Sequence, residues 1–366
     1  MIILRFTIKF IIFKRLKMKK FTTLFVFVFA LFTSLSSCGQ SKKEYKVVCV
    51  GFYNLENLFD TILNPELLFA EEFTPSGSAH WTSQRYHKKL EHMSYAISQI
   101  ATDVTPDGVA LLGISEIENK GVIEDLVKED AIKDRNYQIV HYDTPDRRGI
   151  DVALLYNPKY FKVTNWKAHP LTLPNDTNFR TRSQLVVTGL LDGEEISIIV
   201  NHWPSRRGGE KKSRPKRNAA GDLSRHIVDS LLAINKNAKI MVMGDLNDDP
   251  INPSVMEHLR AKGKISQLTD DDMFNPMYNL YKEGIGSLAY RDKWNLFDQI
   301  IISQGLLGKD YSTYKFYKAR VFNKPFLKQK EGRYKGYPWR TYAGGVYIGG
   351  YSDHLPVYIM LIKEAE

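Results

Sequence analysis

A single α/β domain, built from two packed β-sheets with helices outside them, is the fold class this sequence predicts. Three observations predict it. Apolar runs of strand length, rich in β-branched residues, outnumber segments with helical periodicity. Strands and helices alternate, but incompletely, which suits two stacked sheets better than a regular βαβ array. No internal repeat of fixed period runs through the 366 residues. A hydrophobic fraction of 43% and a charged fraction of 25% are ordinary for a globular chain long enough to bury a core.

The chain opens on an address. Lys19-Lys20 precedes an uncharged run, Phe21 to Ser37, dominated by Phe, Val and Leu. A basic stretch before an apolar one is a secretory leader, so residues 1–37 read as a signal peptide, with Met18 as the candidate true start. Leu35-Ser36-Ser37-Cys38-Gly39 resembles the lipobox of bacterial lipoproteins, where cleavage before the cysteine leaves it lipidated. Cys38 is therefore the expected lipidation site, and residues 38–46 a polar tether. No acidic run follows the cysteine, so the expected location is the cell envelope, lipid-anchored and periplasm-facing, with surface exposure as the alternative. The formal charge of +10 is concentrated in the leader, whose seven basic residues face no acids. Beyond residue 37 the balance is about +3, which excludes a globally basic nucleic-acid binder and leaves only local patches. Cys49 lies in an apolar run and reads as a small buried hydrophobe, with no structural disulfide.

The expected domain spans residues 47–366. Val47 to Tyr53 is a first strand delivering Asn54-Leu55-Glu56-Asn57 at its end. Gln84 to Ile100 is the clearest helix, with Leu90, Met93, Ile97 and Ile100 on one face and Thr82 or Ser83 as its cap. Gly108 to Ile114 is a strand ending at Ser115-Glu116, and Val122 to Ala131 is a helix. Ile139 to Tyr142, Asp151 to Tyr156 and Phe161 to Leu173 are extended. Arg180 to Leu190 and Glu195 to Val200 form a hairpin about Leu191-Asp192-Gly193-Glu194. Ser205 to Arg217 reads as a basic loop, Asn218 to Ile234 as a helix, Lys239 to Met243 as a buried strand and Pro253 to Ala261 as a helix. Trp294 to Ile302, Tyr317 to Phe322 and Leu355 to Ile362 complete the strands. Arg333 to Tyr351 is a loop rich in Gly and aromatics.

One event recurs along this series. An apolar strand ends and a polar or acidic residue stands at its end: Asn54, Glu116, His202, Asp245 with Asn247, Asp298, and Asp353 with His354. Strand ends at one sheet edge can converge on a pocket. Met243-Gly244-Asp245-Leu246-Asn247-Asp248-Asp249-Pro250 clusters oxygen ligands suited to a hard cation, although Asp and Asn favour turns in any case. Asp298 sits among apolar neighbours and needs a partner if buried, for which His354 is the natural candidate.

Tyr53-Asn54-Leu55-Glu56-Asn57, Ser115-Glu116, Gly149-Ile150-Asp151-Val152-Ala153, Asn201-His202-Trp203-Pro204, Gly244-Asp245-Leu246-Asn247 and Ser352-Asp353-His354 together resemble the endonuclease/exonuclease/phosphatase superfamily of DNase I-like proteins. The motifs run in the family's order across residues 47–362. The resemblance implies a four-layer sandwich of two mixed sheets flanked by helices, and a divalent-metal phosphoesterase. It implies Mg²⁺, with Mn²⁺ or Ca²⁺ as alternatives, held by Glu116, Asn54 and Asp353, a sparse set in keeping with an ion that retains its waters. Asp245 corresponds to the residue that activates the attacking water, with Asn247 fixing it. His354 corresponds to the histidine on the scissile phosphate, with Asp298 orienting it, and His202 to a candidate general acid.

Asp151 reads equally as structural or site-adjacent, and Arg182 as a phosphate contact or a paired arginine. Arg206 and Arg207 open the basic loop and are expected to touch the substrate. Trp339, Tyr342 and Tyr347 either stack on substrate or pack their loop. The expected function is an envelope-anchored nuclease, with nucleic acid or another phosphodiester as partner, the membrane reached through the lipid, and no obligate protein partner. A phosphomonoesterase or a sphingomyelinase-like lipid phosphodiesterase is the enzyme alternative. A catalytically inactive binding lipoprotein is the alternative of another class, and retention of Glu116, Asp245 and His354 argues against it.

Overall fold

The structure is a computed structural model and describes residues 43–67 and 70–365. The expected leader, its Met18 start and the lipid-bearing Cys38 lie outside the described residues. Among the described residues no helix is long and apolar enough to cross a membrane.

In chain order the strands are β1 (Tyr45–Leu58), β2 (Val109–Ile117), β3 (Gln138–His141), β4 (Asp151–Tyr156), β5 (Phe161–His169), β6 (Gln184–Leu191), β7 (Glu194–His202), β8 (Lys239–Asp245), β9 (Ala261–Lys262), β10 (Met273–Phe274), β11 (Leu288–Tyr290), β12 (Lys293–Asn295), β13 (Asp298–Ile302), β14 (Lys315–Val321), β15 (Tyr342–Ala343), β16 (Val346–Tyr347) and β17 (Val357–Glu364). The helices are α1 (Ser83–Gln99), α2 (Lys120–Lys128), α3 (Glu210–Ile234) and α4 (Met277–Lys282). One sheet has the order β14-β17-β1-β2-β4-β3 and the other β5-β6-β7-β8-β13-β10-β9. Each is mixed: β1 and β2 run parallel in the first, β7 and β8 in the second. Two short hairpins, β11-β12 and β15-β16, stand apart.

Period-two alternation builds the layers. In β1, Val48, Val50 and Phe52 enter the core between the sheets, while Cys49 and Tyr53 face the other way. In β8, Met241 and Met243 face the inter-sheet core, while Ile240 and Val242 face outward. Leu90, Met93 and Ile97 of α1 and Val122, Ile123 and Leu126 of α2 cover the first sheet. Ala220, Ile227, Val228 and Leu232 of α3 cover the second. Each large aliphatic side chain so buried contributes about 1.5–3 kcal/mol. The result is helices, sheet, sheet and helix, the expected four-layer sandwich.

Several boundaries differ from expectation. The first strand does not end at Asn54. It continues to Leu58, and its register against β2 shifts between Asn54 and Leu58, with Glu56 and Asn57 at φ of 50° and 54°. The basic segment 205–217 is not a loop throughout, because α3 begins at Glu210 and carries Pro215 inside it. A buried ion pair anchors the helix start, with Arg217 Nε 2.8 Å from Asp248 Oδ2, and a more exposed i,i+4 pair, Arg214 with Glu210 at 2.8 Å, adds to it. Pro253 to Ala261 forms only a π-turn, Ser254–His258, wedged on α3 where Gly221 leaves room for the Ser254 carbonyl. The hairpin about Asp192-Gly193 forms with both residues at positive φ, the backbone of a two-residue type I′ turn.

Candidate active site

Strand register brings the site together. On the second sheet, His202 pairs across to Asp245, and Asp245 to Asp298, so three neighbouring strands end in one row. Gly244 allows β7 and β8 to close there: a Cβ on it would lie 2.2 Å from the Asn201 carbonyl oxygen. From the first sheet, Asn54 reaches across and donates from Nδ2 to Asp245 Oδ2 at 3.1 Å. The Ser352 hydroxyl donates to the Asn54 carbonyl at 2.7 Å and accepts from the His354 amide at 3.1 Å, tying the last loop to β1.

His354 Nδ1 lies 2.6 Å from Asp298 Oδ2, and its Nε2 lies 3.8 Å from Asp245 Oδ2 and 3.9 Å from Asp353 Oδ1. Burial alone would lower the pKa of this imidazole, but Asp298 and Asp245 outweigh it and hold the ring well above the usual histidine range, protonated at neutral pH. His202 is the opposite case. Burial, then the cations Arg182 and Arg148, push it well below that range, so it is a neutral imidazole. Its Nε2 faces Asp245 Oδ2 at 3.5 Å and Glu116 Oε1 at 3.8 Å, whereas its buried Nδ1 has no hydrogen-bond partner among the described residues. Its Nε2 is thus the ring nitrogen turned toward the carboxylates of the site. Asp245 is raised to about 7 by burial, with His354 opposing and Asp298 reinforcing the shift.

Glu116 sits at φ 60° on a register shift of β2, in the left-handed region uncommon for a glutamate, and Asn247 adopts φ 51°, a conformation asparagine tolerates. Asn247 donates its amide to Asp245 Oδ1 at 2.9 Å and its Nδ2 to the Trp203 carbonyl at 3.0 Å, which fixes the turn after β8. Glu116 Oε2 accepts from the Asn57 amide at 3.1 Å, while among the described residues Oε1 has only His202 Nε2 at 3.8 Å and Arg148 Nη2 at 4.0 Å facing it. An aimed carboxylate oxygen with no hydrogen bond, beside the amide of Asn54, fits a hard divalent cation that takes few protein ligands. Asp353 is less free, since Oδ2 accepts from Arg340 at 2.5 Å. Asp245, Asp298 and His354 also cluster closely enough to share an ion.

Two expected substrate contacts are corrected. Arg182 is buried and faces inward: Nη1 bonds Asp146 at 2.9 Å, while Nε and Nη2 donate to the His202 and Trp203 carbonyls at 3.1 and 2.7 Å. Arg206 bonds Asp248 at 2.8 Å, the Asn247 carbonyl at 2.9 Å and Asn252 at 3.1 Å, and lies over the Phe297 ring. Both brace the loops behind the site, because a guanidinium with buried acceptors gains more from them than from solvent. Arg207 is exposed. Asp151 is structural, with its carboxylate taken by the Thr144 amide and hydroxyl and by His141. Trp339, Tyr342 and Tyr347 pack on the core beneath α1.

Arg148, 4.0 Å from Glu116, is a neighbour of the site that the sequence reading does not single out, and Asp248, read there with the clustered oxygen ligands, is instead the fully buried anchor of Arg206 and Arg217. The Arg147-Arg148-Gly149 turn was a visible signal for the first. The arginine partners of Asp248 lie 31 or more residues away along the chain, so no local signal marks that role.

No curated protein matches this chain at a significant level. Among solved structures, an endonuclease/exonuclease/phosphatase family protein of Bacteroides thetaiotaomicron is similar at a TM-score of 0.52 and 13% identity, covering 88% of this chain and 100% of its own. A mannosyl-6-phosphatase of the same organism is similar at 0.52 and 14%, covering 86% and 99%. TDP2 of D. rerio, complexed with single strand DNA product, is similar at 0.51 and 12%, covering 86% and 99%. These identities speak to the fold. The family model for the Endonuclease/Exonuclease/phosphatase family matches residues 49–363, nearly the whole described domain. The chain belongs to that family, whose members are metal-dependent hydrolases of phosphoester bonds.

Proposed function

We propose that the protein is a divalent-metal-dependent phosphodiesterase that cuts nucleic-acid strands and is held at the cell envelope by lipid on Cys38. The convergence of Asn54 and Glu116 from the first sheet, His202, Asp245 and Asp298 from the second, and His354 from the last loop on one site carries the chemical part of this reading. In the reaction, water oxygen bonds to phosphorus as the bond to the leaving oxygen breaks. Asp245, oriented by Asn54 and the Asn247 amide, takes the water's proton. His354, kept protonated by Asp298, lays positive charge against the phosphate, and its Nε2 proton is available to the leaving oxygen. His202 donates a neutral hydrogen bond to the same region. Glu116, with Asn54 and Asp353, would hold Mg²⁺, which when bound neutralises charge on the phosphoryl oxygens.

The leader pattern of residues 19–38 supports secretion and lipidation, and domain 47–366 is the catalytic part. A phosphomonoesterase is the second reading, favoured by the equal likeness to the mannosyl-6-phosphatase. Hydrolysis of duplex DNA, single-stranded DNA, bis(p-nitrophenyl) phosphate and p-nitrophenyl phosphate with Mg²⁺, with EDTA and His354→Ala as controls, separates the two. Cleavage of the diesters is expected, abolished by both controls. Turnover of the monoester alone would move the protein to the phosphatase side. Anchoring is checked by palmitate labelling in cells, which Cys38→Ala should abolish.

A further inference from the structure

A second feature adjoins the catalytic row. A cleft of about 650 Å³ is bounded by three separate segments, 146–148, 176–182 and 204–216. Arg147, Arg148, Arg180, Arg207, Lys212 and Lys216 border it. Two carboxylates border it as well: Asp146, which Arg182 neutralises at 2.9 Å, and Asp176.

The pairing of neighbouring cations is selective. Arg206, Arg214 and Arg217 are all in ion pairs with Asp248 or Glu210. Their neighbours Arg207, Lys212 and Lys216, and Arg147 and Arg180 across the cleft, have no carboxylate partner among the described residues. Arg147 and Arg180 are held at the rim by the Asn178, Thr177 and Phe179 carbonyls, at 2.8–3.0 Å, and Lys216 lies over the Phe179 ring. Folding has thus used one set of cations for structure and left another facing a single cleft. Such an array repels itself and is favourable when anions enter.

The cleft meets the catalytic row. Arg148 lies 4.0 Å from Glu116, and Arg182 beneath the cleft floor holds the His202 and Trp203 carbonyls. One phosphate cannot use six cations drawn from three segments. Beyond Phe179 and Pro204 the lining offers no apolar seat for an acyl chain.

We infer that this cleft binds consecutive phosphates of a nucleic-acid strand on the side of the scissile bond nearest His202 and Arg148, so that the preferred substrate is a chain polyanion and not an isolated diester. The inference rests on the phosphodiesterase reading above.

The test measures binding and turnover separately on the full chain. In EDTA, anisotropy of a labelled single strand of about 12 nucleotides is followed against salt for the parent, Lys212→Ala/Lys216→Ala and, from another segment, Arg180→Ala. Parent affinity is expected to fall steeply with salt. The double variant is expected to bind about 10-fold more weakly, with a log–log slope smaller by roughly 1.4, about 0.7 for each lost phosphate contact. With Mg²⁺, kcat/KM on the strand should fall at least 10-fold more than kcat/KM on bis(p-nitrophenyl) phosphate.

Folded variants that bind like the parent with an unchanged slope would overturn the inference, and so would phosphatidylserine vesicles that compete as well as the strand. Hydrolysis of the small diester with no advantage for the strand would overturn it too, while leaving the phosphodiesterase reading in place. Salt-dependent strand binding with no diester hydrolysis would sink that reading and leave the cleft standing.

Discussion

Asp298 is buried with one carboxylate oxygen on His354 Nδ1 at 2.6 Å and the other without a hydrogen-bond partner among the described residues. Its charge, more than its shape, keeps His354 protonated. Asp298→Asn keeps the volume and removes the charge, and is expected to lower kcat about 10²-fold, the lower end for a group acting through a proton carrier. The His354 imidazole pKa, followed by NMR, should fall in the same variant. A purely structural role would leave that titration in place. Glu118 offers a stability test. It is buried, accepts the Asp60 amide at 2.9 Å, and is pushed up to about 7 mainly by burial. Its folded pKa lies above the unfolded value, so the folded state holds the proton longer, and stability falls as pH rises between about 4.5 and 7. Glu118→Gln should remove about 2 kcal/mol of the stability lost between roughly pH 5 and pH 8, as read by urea unfolding at both.

At the scale of elements, the row of His202, Asp245 and Asp298 depends on β7, β8 and β13 keeping their register. A slip of one residue would turn every one of those side chains to the opposite face. Gly244 is where that register is most exposed to change. Gly244→Ala would set a methyl 2.2 Å from the Asn201 carbonyl oxygen at φ 155°. A loss of at least about 2 kcal/mol is expected in denaturant unfolding, along with lost turnover. An alanine variant with the parent's stability and activity would show that β7 and β8 tolerate separation.

For the whole molecule, the four layers bury their cores through side chains that need no ion, so metal and fold should separate. EDTA is expected to abolish hydrolysis while leaving a cooperative thermal transition. Saturating Mg²⁺ should raise stability by about 1.4 kcal/mol when present at roughly tenfold its Kd. Glu116→Gln should lose that Mg²⁺-dependent shift and keep the transition seen in EDTA. Scanning fluorimetry with and without Mg²⁺ checks both, and a Glu116→Gln protein still stabilised by Mg²⁺ would place the ion elsewhere.

By itself the sequence determined the layers. Alternation in Val48 to Phe52 and Ile240 to Met243, and the apolar stripes of α1 and α3, are local signals that point the same way as the packing. It also determined which residue types stand near strand ends, because a carboxylate after an apolar run is visible without knowing its partner. What each charge does follows from its neighbours in space. Arg182 meets Asp146 36 residues away, and Arg206 meets Asp248 42 residues away. Neither pairing leaves a trace in local composition, and both turn an expected substrate contact into a brace. The same long-range pairing through Asp248 extends α3 back through a segment whose charge and Pro215 read locally as a loop. His202 and His354 are the same side chain in chemical terms. Burial, reinforced by Arg182 and Arg148, lowers the pKa of the first, whereas Asp298 and Asp245 outweigh burial and raise that of the second. Periodicity is short-ranged and can be read along the chain, whereas electrostatic environment is set by neighbours in space.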